Sequence, residues 1–215
     1  MRRKILALVA LAALLLTAMP VAAAGNAFHF SATGKGAEAG WSTFPVDGIP
    51  VTNVVYTDTF VFASEDAVNQ DGEVFTNKFV FIDQFSYKFD RRGNFTFVSS
   101  TIGFAGGSDV NLSVDSKLKS ASVTASVALQ TCTERSCTDA GIGSLVVSWT
   151  GEGDIIRQSG TFHVGSKTFT ENGQFRGSFR LATAVGSLNG AGFGSQFFAD
   201  IFSTTFRDVF ICHGC

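Results

Sequence analysis

Two carboxylates that closely follow a tryptophan form the most site-like cluster of this sequence. Glu152 and Asp154 lie two residues apart, shortly after Trp149. Paired carboxylates are the machinery of glycoside hydrolysis, in which their separation decides the mechanism. The same pair also stands in a glycine-rich turn, where both acids can simply face water. As an alternative function, the cluster therefore predicts a secreted, glycosidase-like hydrolase that uses Glu152 and Asp154.

A second tryptophan, Trp41, is the better candidate for an exposed aromatic platform. It stands between a glycine and two hydroxyl residues, whereas Trp149 falls on the apolar face of a predicted strand. Aromatic rings with polar neighbours are favoured at binding surfaces, where one side is apolar and the other wet. The sequence thus predicts a glycan or cell-envelope component as partner, with Trp41, Glu152 and Asp154 as candidate ligand-binding residues.

The stretch from Ser64 to Glu73 is acidic and could supply oxygen ligands to calcium. Its oxygen-bearing side chains are Glu65, Asp66, Asn69, Asp71 and Glu73. It departs from the calcium-loop pattern because Ala67 occupies the first ligand position and Lys78 the twelfth. We expect a solvated loop here, and we expect neither a metal nor a cofactor.

No motif assigns a catalytic residue. The nucleophile-elbow sequence Gly-x-Ser-x-Gly does not occur, and the three histidines are His29, His163 and His213. His29 and His163 each alternate with apolar neighbours, which predicts a surface imidazole on the other face of a strand. The catalytic residues therefore remain unknown from sequence.

Four cysteines occur in two close pairs, Cys132 with Cys137 and Cys212 with Cys215. An even number of cysteines in an exported chain favours two disulfides, and local pairing is the simplest arrangement. The two cross-pairings stay open, because sequence does not determine connectivity. A zinc site formed by the four thiolates, with His213 as a further ligand, is the functional alternative.

The first residues have the order of a secretory signal peptide. Basic residues 2–4 precede an apolar run, Ile5–Met19, and small residues lead to a cleavage point after Ala24. The run is short for a membrane-spanning helix. We therefore predict a signal peptide over 1–24, a single all-β domain over 25–215, a secreted location and no membrane span after cleavage.

Composition gives no electrostatic reason to propose nucleic acid as a partner. The chain has 16 basic and 18 acidic residues, a formal net charge of −2, and 45% hydrophobic residues. A mildly acidic balance without charge blocks does not favour polyanions, and the high hydrophobic content excludes disorder.

Apolar and polar residues alternate with a period of two along most of the chain. Such one-faced segments are typical of antiparallel strands that bury one face. The predicted strands are 27–36, 53–63, 78–90, 94–104, 109–114, 121–131, 143–151, 155–164, 174–184 and 203–212. These elements predict an all-β protein, a single antiparallel β-sandwich or closed barrel of about ten strands.

Phenylalanine dominates the aromatic residues, with 23 Phe against two Trp and two Tyr. Because Phe has no polar group, we expect these rings to point into the core. The alternatives are an exposed patch and a Phe-lined cavity, and the cavity would make the protein an apolar-ligand carrier. Apolar side chains from Phe198 to Phe210 show helical spacing, and we expect a helical turn or loop near 195–201 that leads into the final strand.

Five stretches together resemble an uncharacterised family of secreted bacterial β-sheet proteins. They are Tyr56–Ala63, Lys117–Val123, Val147–Asp154, Gly173–Arg180 and Asp208–Cys212. The resemblance implies an exported β domain and carries no established activity. The leading hypothesis is therefore a secreted, non-catalytic β domain that serves in binding or as a cell-surface or matrix component.

Overall fold

A computed structural model describes residues 27–45 and 47–213 as an antiparallel β protein. Its strands are β1 Ala27–Ser42, β2 Val55–Gln70, β3 Glu73–Phe89, β4 Phe95–Gly106, β5 Val110–Val114, β6 Ser120–Cys132, β7 Cys137–Gly151, β8 Ile156–Gly165, β9 Phe169–Leu188, β10 Ala191–Gly192 and β11 Ser195–Cys212. A short 3-10 turn, Gly107–Asp109, precedes β5. The all-β prediction is confirmed, while the predicted leader over 1–24 lies outside the described residues.

Eight of the strands close into a ring, in the order β9-β11-β1-β2-β3-β4-β6-β7 and back to β9. Every pairing in this ring is antiparallel. The short strands β5 and β10 add to β6 and β9. Of the two predicted architectures, the hydrogen bonding matches the closed one, which removes free strand edges from this part of the molecule.

The interior of the ring is filled by small and branched apolar side chains and both tryptophans. Val61, Ile82, Val127, Leu145 and Ile201 are among its fully buried members. They occupy alternate positions of their strands, as the period-two pattern requires. Packing of this density stabilises the closed form through the apolar area removed from water.

Both indoles satisfy their polar group inside this core. Trp41 Nε1 donates to the carbonyl of Ala184 at 3.2 Å, and Trp149 Nε1 donates to the carbonyl of Glu38 at 3.1 Å. Where the backbone pairing of β9 with β11 ends, the Gln196 side chain accepts a hydrogen bond from the Ala184 amide and donates one to the Ala182 carbonyl. These two backbone groups therefore have partners beyond the end of the β9–β11 ladder.

Five of the ring strands continue beyond the ring, and β8 pairs with β9 at their edge to complete an open six-stranded sheet, which we call the plate. It consists of 156–165 of β8, 169–178 of β9, 203–212 of β11, 27–35 of β1, 65–70 of β2 and 73–78 of β3, side by side in that order. None of the buried core residues of the described chain lies in these segments. Both faces of the plate therefore meet solvent.

The phenylalanines are not the core, and the prediction that they point inward is wrong. Among the described residues, Phe193 is the single phenylalanine of the interior cluster. Val80 and Ile82 of β3 are fully buried, whereas their neighbours Phe79 and Phe81 lie on the outer surface and are half-buried. This part of β3 alternates as predicted, but both of its faces are apolar, and its aliphatic side chains take the interior positions.

Two other local expectations are also wrong. The predicted helical turn or loop near 195–201 is part of β11. Ile201 faces the interior while Phe198 and Phe202 lie on the opposite face of the strand, and apolarity on both faces imitates helical spacing. The predicted acidic loop from Ser64 to Glu73 is two strands joined at Asp71-Gly72.

A disulfide joins Cys132 to Cys137 at the tip of the β6–β7 hairpin. This confirms the local pairing and excludes both cross-pairings and the four-thiolate zinc site, since two of the thiolates are consumed. Cys212 is also disulfide-bonded, and its predicted partner Cys215 lies outside the described residues. The described part of the chain contains no helix long and apolar enough to cross a membrane.

Candidate functional site

One face of the plate carries a cluster of cations. We call it the basic face; it carries the cations Lys35, Lys78, Arg157, Arg176 and Arg207. The cations on β1, β3, β9 and β11 occupy strand positions whose parity continues that of the interior residues of the ring, and Arg157 on β8 lies opposite Ser178, which shares that parity on β9. Glu65 is the one acidic side chain among the described strand positions of this face.

Glu65 forms ion pairs with two of the cations, on the side of the basic face that consists of β1, β2 and β3. Its Oε2 lies 3.3 Å from Lys35 Nζ and 3.8 Å from Lys78 Nζ. The three residues stand opposite one another on β1, β2 and β3. Partly exposed ion pairs of this kind contribute little stability, so one carboxylate shared by two ammonium groups leaves a net positive charge there.

Three arginines form a diagonal across the other side. Arg176 on β9 lies opposite Thr205 and Ser159, so Arg207 and Arg157 are its diagonal neighbours on β11 and β8. Diagonal neighbours in an antiparallel sheet are roughly 7–8 Å apart. All three arginines are exposed, and together they make an extended line of positive charge.

A groove of about 560 Å³ lies between β8 and β9 on this line. The groove is lined by Arg157, Gln158, Ser159, Gly160, Thr161, Gln174, Arg176, Gly177 and Ser178. Two guanidinium groups, which present forked donors suited to carboxylate, sulfate or phosphate, are thus accompanied by hydroxyls and amides. The groove can bind a negatively charged group and hydrogen-bond the hydroxyls around it.

Hydroxyl and amide side chains fill the positions between the cations. They include Ser31, Thr33, Asn69, Thr76, Ser178, Ser203 and Thr205. His163 and His29 lie in the outermost part of the same face and are exposed, as predicted, and His163 Nδ1 is 2.7 Å from Asn172 Oδ1. No aromatic ring other than these imidazoles occupies a described strand position of the basic face.

The opposite face of the same sheet is aromatic and acidic. This aromatic face, which continues onto the outside of the ring, carries Phe28, Phe30, Phe60, Phe62, Phe75, Phe79, Phe81, Phe104, Phe162, Phe169, Phe175, Phe179, Phe198, Phe202, Phe206 and Phe210. Rings contact one another across strands, for example Phe30 with Phe206 at 5.9 Å between centroids. No described plate position on this face holds a lysine or arginine.

Two carboxylates of the aromatic face have raised pKa values. Burial raises the pKa of Asp208 to about 6, and the negative charge of Glu171 beside it adds to the effect. Burial also raises the pKa of Asp66, although a hydrogen bond from the Ser64 hydroxyl opposes this. The sheet therefore separates cations and acids onto opposite sides, a pattern that the nearly balanced composition conceals.

The predicted ligand-binding residues do not come together. Trp41 is 2% exposed and Trp149 is 1% exposed, so the predicted surface position of Trp41 is wrong: its ring fills the interior of the closed sheet. Glu152 and Asp154 lie in the exposed turn after β7. Because the Trp149 ring points inward, no tryptophan platform lies beside these carboxylates.

The acidic stretch does not form one ligand set either. Glu65 belongs to the basic face, whereas Asp66 belongs to the aromatic face, since neighbouring strand residues point in opposite directions. Among the described residues, no group of three or more His, Cys, Asp or Glu side chains is placed to hold a metal ion.

Sequence reasoning did not single out the five cations of the basic face. A usable signal exists, because Arg176 alternates with Phe175 and Arg157 with Ile156 within their strands. What the sequence does not contain is the strand order, which brings β8, β9, β11, β1, β2 and β3 side by side. Five charges from five strands become one surface through that order alone.

Comparisons with protein-family models, curated protein sequences and solved structures find no match to this chain. The family resemblance described above therefore stays a prediction.

Proposed function

We propose that the protein is a non-catalytic binding module whose basic face holds an acidic polysaccharide of the extracytoplasmic space. The observation that carries this proposal is the exposed line of Arg157, Arg176 and Arg207 on a sheet face where hydroxyl and amide side chains lie between the cations. Guanidinium groups pair with carboxylate or sulfate, and the neighbouring side chains suit the hydroxyls of sugar rings.

An extended polymer fits this face better than a small anion does. The cations span six neighbouring strands, which are about 4.8 Å apart, so the charged surface is much wider than one anionic group. The groove at Arg157 and Arg176 gives the polymer a point of closer contact.

A polysaccharide also fits better than a nucleic acid. Single-stranded nucleic acids bind to grooves in which bases stack on aromatic side chains. The phenylalanines lie on the opposite face of the sheet, where the nearby charged groups are acids. The Cys132–Cys137 disulfide and the predicted leader favour an oxidising, extracytoplasmic compartment, in which envelope glycans are the abundant polyanions.

The test is binding of the purified protein to immobilised heparin and alginate. Replacement of two plate arginines, Arg157→Ser with Arg176→Ser, should weaken binding about tenfold and lower the salt concentration needed for elution, because two exposed charge pairs are lost. Binding is measured as the dissociation constant at several salt concentrations.

A matched control keeps the change in net charge identical. Arg91→Ser with Arg92→Ser removes two exposed arginines from the β3–β4 turn, at the far end of the molecule, and should leave binding nearly unchanged. Equal weakening by both double variants would show that net charge alone is at work. Equal retention on neutral dextran, or binding to an oligonucleotide without binding to either polysaccharide, would also contradict the proposal.

A further inference from the structure

A second concave site lies at the opposite end of the molecule from the plate. It is a pocket of about 450 Å³ near the starts of β2 and β11 and the end of β1. Its lining residues are Ser42, Phe44, Asp58, Tyr87, Ser195, Gln196 and Phe197. The polysaccharide proposal does not use these residues.

One carboxylate stands at the centre of this pocket. Asp58 Oδ1 accepts hydrogen bonds from the Ser42 hydroxyl at 2.5 Å and from the Tyr87 hydroxyl at 3.3 Å. Ser42 Oγ in turn accepts from the Phe44 backbone amide at 3.0 Å. These contacts fix the position of the carboxylate, so its charge is preorganised rather than mobile.

Aromatic rings form the walls around that charge. Phe44 packs edge-on against Tyr56 with ring centroids 5.0 Å apart, and the ring centroids of Tyr56 and Tyr87 are 6.0 Å apart. Phe197, which is 61% exposed, forms the outer rim. Burial and the negative charge of Asp58 raise the pKa of Tyr87, so its ring remains a neutral phenol at physiological pH.

No lysine, arginine or histidine is among the residues that line the pocket. A fixed negative charge surrounded by aromatic faces attracts a cation in two ways, through the carboxylate and through the ring quadrupoles. Neutral ligands gain nothing from the charge, and anions are repelled by it.

We propose that this pocket binds an organic cation, specifically an ammonium group that carries methyl or methylene substituents. Asp58 pairs with the positive charge, and the rings of Phe44, Tyr87 and Phe197 contact the substituents. The ammonium group can belong to a free small molecule or to the head group of a lipid; the two sources share this chemistry.

The experiment is a titration of the isotope-labelled protein with tetramethylammonium chloride and with choline, followed by NMR. Shifts of the Phe44 and Tyr87 signals should saturate, while sodium chloride at equal ionic strength should leave them in place. The uncharged isostere of choline, 3,3-dimethylbutanol, should bind about three- to thirtyfold more weakly, since cation–π attraction of this size is lost. This comparison uses the unaltered protein, so it does not depend on the folding of any variant.

A variant pair locates the site. Asp58→Asn keeps the shape of the side chain and should reduce affinity about tenfold or more, while Asp83→Asn changes another aromatic-face carboxylate, one that accepts from Ser100, and should have no effect. Sedimentation with phosphatidylcholine vesicles separates the two sources. If the unaltered protein co-sediments with the vesicles and Asp58→Asn does not, the ligand is a lipid head group. If the unaltered protein does not co-sediment, the ligand is a free cation. Equal binding of dimethylbutanol or glucose, or unchanged affinity in Asp58→Asn, would overturn the proposal.

Discussion

At the scale of single residues, Asp208 is the clearest case of a carboxyl group whose surroundings disfavour its ionised form. It lies on β11 among the rings of the aromatic face, and its Oδ1 atom is buried without a hydrogen-bond partner among the described residues. Glu171 on the neighbouring strand adds a second negative charge. The folded state therefore favours the protonated acid more strongly than the unfolded state does.

This imbalance has a defined pH dependence. The pKa of Asp208 rises from 3.8 to about 6 on folding, so the native state binds a proton that the unfolded chain has already released. The free energy of unfolding should consequently fall as pH rises from about 4 to about 6 and then level off. In Asp208→Asn this decline should largely disappear, which denaturant titrations across that pH range can measure.

Asp109→Asn provides the control, because Asp109 is an exposed carboxylate in the 3-10 turn. It should keep the pH dependence of the unaltered protein. An Asp208→Asn variant whose stability still declines between these pH values would place the titrating group elsewhere.

At the scale of elements, segments 60–63 of β2 and 79–82 of β3 are apolar on both sides, with aliphatic side chains facing inward and phenylalanines outward. Ile82 on β3 is fully buried, whereas Phe104 on the adjacent β4 is 55% exposed and stacks on Phe79 with centroids 6.1 Å apart. We therefore expect the larger ring to contribute less to stability than the smaller aliphatic chain.

Truncation of Ile82 and of Phe104 should show which side chain contributes more to the free energy of unfolding. Ile82→Ala should lower the free energy of unfolding by about 2–5 kcal/mol, because it leaves a cavity in the packed interior. Phe104→Ala should lower it by less than about 1.5 kcal/mol, since it removes mainly one ring contact. Chemical denaturation gives both values, and a larger loss for the phenylalanine would contradict the assignment of faces.

Apolar residues on both faces of a strand also limit how much of this fold the sequence can predict. Alternation locates nearly every strand, and the polar exteriors of β6 and β7 identify Val127 and Leu145 correctly as interior. Where both faces are apolar, as at Phe81 and Ile82, alternation does not say which face is inside. The strand order and the plate depend on pairings between distant residues, so the cations of the basic face could not be joined into one surface.

At the scale of the whole molecule, the ring and the plate share strands but not a core. The described core residues all belong to the ring and the segments that cover it. Edge strand β8 has every side chain exposed and pairs with β9 alone. The plate is therefore held by its ladder hydrogen bonds and by ring contacts on one face, whereas the ring is held by buried apolar area.

Local stability should follow this division. Amide hydrogens in 156–165 should exchange faster than those in β6 and β7, because opening the plate edge exposes little buried apolar surface. Hydrogen exchange measured by mass spectrometry on peptides from both regions tests this. Equal protection in β8 and β6 would indicate that the plate is covered in solution.

The separation of the two faces also sets what kinds of sequence change the molecule can accept. Substitutions at single plate positions alter one contact, but loss of one residue within β11 would turn every later side chain over. Arg207 would then point to the aromatic face and Phe206 to the basic face, since side-chain direction in a strand repeats every two residues. Lineages of this protein should therefore conserve plate strand length, while single plate positions other than the cations of the basic face can vary.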